Sequence, residues 1–68
     1  MDWSWQRVDK AEFKRFKRTA ALIDTVNGAQ IWRTQSGFSR LFKEHNGYQW
    51  MSDQYFLTIN EAVREASK

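Results

Sequence analysis

At 68 residues, with no cysteine and no proline, the chain has room for one domain and no means of stapling it with a disulfide or a thiolate-bound metal. A domain this short buries only about 60% of the surface that its unfolded chain exposes, so its four Trp, two Tyr and five Phe supply most of the area available for a core. The formal charge of +3 disfavours an acidic mimic of nucleic acid, and no run is long and apolar enough for a membrane span or a signal peptide, which makes the cytoplasm the default address.

Asp2-Trp3-Ser4-Trp5 opens the chain. Two Trp this close to a free end are too apolar to be left bare, and at least one is expected to dock on the core as a lid. The net charge follows in a single stretch. Arg7, Lys10, Lys14, Arg15, Lys17 and Arg18 stand against only Asp9 and Glu12, a local balance of +4, while residues 19–68 carry five bases and five acids. Asp9 with Glu12 three residues on resembles a capping box, and acids in the first turn with bases in the last suit the helix dipole. At about 100° per residue, Phe13, Phe16 and Ala20 share one narrow face. Lys10, Lys14, Lys17 and Arg18 form a band beside it, with Arg15 farther round. This predicts an N-terminal basic helix.

The clearest local signal is Leu22-Ile23-Asp24-Thr25-Val26-Asn27-Gly28-Ala29-Gln30-Ile31-Trp32-Arg33. Two runs rich in β-branched and aromatic residues flank Asn-Gly, the pair that best tolerates the positive φ angles of a type I′ turn. The expected register sets Val26 opposite Ala29, Asp24 opposite Ile31, Ile23 opposite Trp32 and Leu22 opposite Arg33. Gln35-Ser36-Gly37 reads as a turn. Residues 38–45 fit a strand with Phe38, Arg40 and Phe42 on one face. They also fit a helix through Phe38, Leu41, Phe42 and His45, and the strand is preferred because the segment is short and His45-Asn46-Gly47 reads as a second hairpin turn. In the strand that follows, Tyr48 and Trp50 share one face, and Gln49 and Met51 the other. Tyr55–Leu57 reads as a short extension. Thr58 with Glu61 is a capping box, and Ile59, Ala62, Val63 and Ala66 repeat at helical spacing.

The expected architecture is α+β. It is a small single domain over residues 1–68, with an N-terminal basic helix, a three- to four-stranded antiparallel meander and a short C-terminal amphipathic helix. The helices are expected on one sheet face, leaving the other partly open with Trp32, or Arg40 beside Phe38 and Phe42, as a contact surface.

No catalytic residues, metal site or cofactor are implied. One His, no Cys and no Gly-rich phosphate loop leave Glu44-His45 as two metal ligands without a third, which fits a polar turn better. The basic stretch, Arg33, Arg40 and the interleaved aromatics point instead to a small binding domain for nucleic acid, DNA first. Lys and Arg would contact phosphate, and the sheet would set Arg against base edges or rings against single-stranded bases. The candidate contact residues are Arg7, Lys10, Lys14, Arg15, Lys17, Arg18, Arg33, Arg40 and Trp32. The alternative is a protein-interaction module, of the accessory or inhibitor type carried by phages and mobile elements. It would dock on an acidic surface of a larger protein, with aromatics as hot spots and the basic band steering the encounter. A monomer or weak homodimer pairing through an edge strand is expected. No membrane partner is expected, because the apolar stripe of the basic helix is too narrow to insert.

Overall fold

Two Asn-Gly pairs set the sheet. In the computed structural model, which describes residues 2–68, Asn27 (φ 51°) and Gly28 (φ 77°) make the first reversal, and Asn46 (φ 55°) and Gly47 (φ 80°) the second. These left-handed angles match the twist of antiparallel strands. The elements run β1 (Trp5–Val8), α1 (Lys10–Thr19), β2 (Ala20–Val26), β3 (Ala29–Thr34), β4 (Ser39–His45), β5 (Tyr48–Ser52) and α2 (Ile59–Ala66). All the strand pairs are antiparallel, in the order β1-β5-β4-β3-β2. The meander and both helices match the sequence-based expectation.

The sheet has five strands, one more than expected. β1 lies between the Trp-rich start and the Asp9 cap, and its four residues are too few to show a period. It pairs with β5, the strand farthest from it in sequence, with Trp5 opposite Ser52 and Val8 opposite Gln49. α1 therefore connects the two outer strands of the sheet.

A second correction concerns the faces. The helices lie on opposite sides of the sheet. On one, Val8, Phe13, Trp32, Phe42 and Met51 form a core completed by Phe16 and Ala20. On the other, Trp3, Ile31, Leu41, Phe56 and Ala62 form a second core against α2, which lies over β3 and β4. Adjacent residues Ile31-Trp32 and Leu41-Phe42 are all buried, as central strands require when both faces are covered.

The hairpin register holds near the turn, with Val26 opposite Ala29 and Asp24 opposite Ile31. It then slips at a bulge at Ile23, so that Leu22 meets Trp32 and Ala21 meets Arg33. An unpaired residue in an exposed edge strand kinks that edge. Phe38 lies just outside β4 and is exposed, and Tyr55–Leu57 contributes a single bridge, Phe56 to Ser39.

Gly28→Val is expected to destabilise the domain by more than about 1 kcal/mol, because Val resists positive φ. No atom lies within 4 Å of an added Cβ there, so the cost is one of backbone conformation alone. An unchanged urea midpoint would rule this out.

The N-terminal segment is tied at two points. Trp3 Nε1 donates to Glu65 Oε1 (2.8 Å) on α2. Ser4 N and Oγ donate to the two carboxylate oxygens of Asp53 (3.0 and 2.9 Å), while Asp53 N donates to Ser4 O (2.9 Å). The bonds from Ser4, its backbone N–H first, hold the Asp53 carboxyl below its ordinary value of 3.8. A carboxyl depressed in the fold stabilises it above the unfolded pKa, and that stability is lost as pH falls through the folded one. The stability gap between wild type and Asp53→Asn should therefore be full at neutral pH and close as pH drops below 3.8. Melting temperatures of both proteins across that range test it, and a gap that stays constant would show that the carboxylate charge is irrelevant.

Candidate nucleic-acid interface

The Asp9 side chain caps α1 by accepting from Ala11 N (3.2 Å). Phe13 and Phe16 turn inward, Phe13 stacking on Phe42 with ring centroids 4.5 Å apart. Helical spacing then sends the bases outward, and Lys10, Lys14, Arg15, Lys17 and Arg18 are all exposed. None has a carboxylate partner: among the described residues the sole ion pair joins Lys68 to Glu65 (2.7 Å). The Lys17 ammonium lies 4.6 Å from the Phe13 ring centroid, so its stem covers the edge of the core.

Arg33 is exposed on β3 and lines one shallow depression with Arg18, at the end of α1. The other predicted contacts lie elsewhere. Arg7 belongs to β1 and not to the helix, and its guanidinium sits 3.9 Å from the Tyr48 ring centroid, on the sheet face opposite α1. Arg40 is engaged internally. Its Nε donates to Ser52 O (2.8 Å) and its guanidinium stacks over Tyr55 at 4.5 Å. Trp32 is only 9% exposed and meets Phe13 and Phe16 edge to face, so it belongs to the core and not to an open surface. The structure thus brings the five helix bases together, sets Arg33 near Arg18 at the sheet edge but on the opposite face, with Ile31, and separates Arg7, Arg40 and Trp32 from them.

Sequence reasoning passed over Lys43. Its ammonium lies 4.3 Å from the Trp5 ring centroid, and Lys43 pairs with Trp50 across β4 and β5. The shared face of Tyr48 and Trp50 was readable from alternation. The approach of Trp5 and Arg7 to it depends on the β1–β5 pairing, which has no local signal.

The α1 surface can attract and hold anions by unneutralised charge and by charge-assisted hydrogen bonds. Among the described residues no three His, Asp or Glu side chains are grouped to hold a metal, and no helix is long and apolar enough to cross a membrane. No protein-family model, curated protein or solved structure matches the chain.

Proposed function

We propose that the chain is a small, cytoplasmic, non-enzymatic nucleic-acid-binding domain, DNA first, that grips the phosphate backbone with the outward face of α1. One observation carries this. Five bases, Lys10, Lys14, Arg15, Lys17 and Arg18, share a ten-residue helix, are all exposed, and have no carboxylate partner among the described residues. Cations that neutralise nothing internally are available to phosphates, and the affinity they supply falls as salt rises. Arg33, which lines a depression with Arg18 at the sheet edge, adds one further base at the end of α1, from the opposite sheet face. Fluorescence anisotropy of labelled duplex DNA, single-stranded DNA and RNA, titrated at low and at near-physiological salt, tests this reading. Binding that persists at physiological salt supports it. Binding that vanishes as salt rises, with no preference among the three, is what any cationic helix gives and overturns it.

A second reading has its own observation. Phe38, Tyr55 and Leu57 are exposed around the Ser39–Phe56 bridge, with Leu57 69% accessible. Exposed apolar side chains near one another fit a partner protein, with α1 steering the approach to an acidic surface. Self-pairing through β2 is disfavoured by the bulge at Ile23, so a monomer is the simpler state.

A further inference from the structure

On the side of the sheet away from α1, α2 lies over β3 and β4, and the β1–β5 end carries a different surface. Trp5 and Arg7 of β1, Tyr48 and Trp50 of β5 and Lys43 of β4 lie on this face, as the strand pairing requires. Cations and rings interleave. Arg7 lies over Tyr48, Lys43 lies over Trp5, and Trp50 stands between Arg7 and Lys43 in the paired row. The strip contains no carboxylate, and neither cation has an ion-pair partner among the described residues. The rings are held in place. Trp5 meets Trp3 edge to face with centroids 5.2 Å apart, and Trp50 Nε1 donates to His45 O (3.3 Å). Tyr48 remains 48% exposed.

A purely structural strip would bury its rings or pair its cations with acids, and this one does neither fully. Fixed aromatic faces with adjoining uncompensated cations are what an unpaired, extended nucleic-acid strand requires, since bases stack on rings and phosphates meet Lys and Arg. Tyr48 and Trp50 are two residues apart on one strand, about 7 Å, which leaves each ring room for its own base. Bases inside a duplex are already stacked and cannot reach such a surface. We infer that the Trp5–Lys43–Trp50–Arg7–Tyr48 strip is a stacking site for unpaired nucleotides, giving the domain a preference for single strands. This rests on the nucleic-acid reading above and adds the form of nucleic acid that is bound.

The test compares a labelled oligothymidylate with a duplex of equal length, at near-physiological salt, on wild type and on Tyr48→Ser, with the melting curve of each protein recorded. Tyr48→Ser is expected to weaken oligothymidylate binding about tenfold, the scale of one lost stacking contact, and to leave duplex binding unchanged. Tryptophan fluorescence of the wild type is expected to be quenched by the single strand and not by the duplex. Where Tyr48→Ser does not fold, Arg7→Gln is read in the same way. Equal wild-type affinity for both forms, or single-strand binding indifferent to the substitution, overturns the stacking site and leaves the α1 reading standing. Failure of wild type to bind either form overturns both.

Discussion

Phe42→Ala is expected to leave the chain largely unfolded at room temperature. Phe42 is 1% exposed. Its ring stacks on Phe13 at 4.5 Å with 16° between planes and tilts against Phe16 at 4.7 Å. With Trp32, it is the contact through which α1 grips the central strands. Truncating a buried Phe to Ala costs about 3–5 kcal/mol in lost transfer energy and cavity formation. Even with two cores, a chain of this length is stable by only about 0.05–0.15 kcal/mol per residue, and the cost takes most of that reserve, with no disulfide to make up the difference. Far-UV circular dichroism and urea titration followed by tryptophan fluorescence measure it. Leu57→Ala, at a highly exposed position, is the control expected to melt like wild type. A cooperative transition in Phe42→Ala within a few degrees of wild type would mean that α1 is not held by this contact.

The second large effect is on binding. Replacing Lys10, Lys14, Lys17 and Arg18 together with Gln is expected to preserve the fold and to weaken nucleic-acid binding by roughly a hundredfold or more at physiological salt. The fold survives because all four side chains are exposed and none is ion-paired among the described residues. The largest internal loss is the Lys17 contact over Phe13, about 0.5–1 kcal/mol for an exposed cation–π pair. Binding suffers because each phosphate contact contributes about 0.9 to the slope of log affinity against log salt, so four lost contacts flatten that slope by up to about 3.6. Single-strand and duplex affinities should fall together, unlike the selective effect of Tyr48→Ser. An unaltered salt slope would mean that α1 does not touch phosphate. A collapsed melting transition would mean that these residues hold the fold.

What could be read from the sequence was what neighbours in the chain decide. Asn27-Gly28 announced its hairpin because positive φ at two successive positions is a local demand. Phe13, Phe16 and Ala20 announced the inner face of α1, and Thr58 with Glu61 announced α2, whose cap is closed by Glu61 N donating to Thr58 Oγ1 (3.1 Å). β1 was invisible because its partner lies more than forty residues away and its four residues show no period of their own. The Ile23 bulge was equally hidden, since an alternating run gives no sign of where the ladder will skip a residue. The error over Trp32 followed from assuming one open sheet face. Ile31-Trp32 and Leu41-Phe42 held the correction, because neighbouring apolar residues in one strand point to opposite sides and both need cover. The cations of the candidate interface were legible as a charge run. The cation–aromatic strip was not, because it exists only after β1 and β5 pair.

That pairing has a consequence for the order in which the molecule acquires its properties. Residues up to Thr19 already contain all of α1, yet a ten-residue helix is marginal alone and needs Trp32 and Phe42 from later strands to hold it. The strip waits longer still, drawing Trp5 and Arg7 from the beginning and Tyr48 and Trp50 from the last hairpin. Closing so long a loop makes the β1–β5 seam the costliest of the strand pairings in loop entropy. A chain still emerging from a ribosome, or one frayed at that seam, carries the full positive charge without the stacking surface. Such a chain attracts polyanions indiscriminately, and discrimination between paired and unpaired strands arrives only with the completed fold.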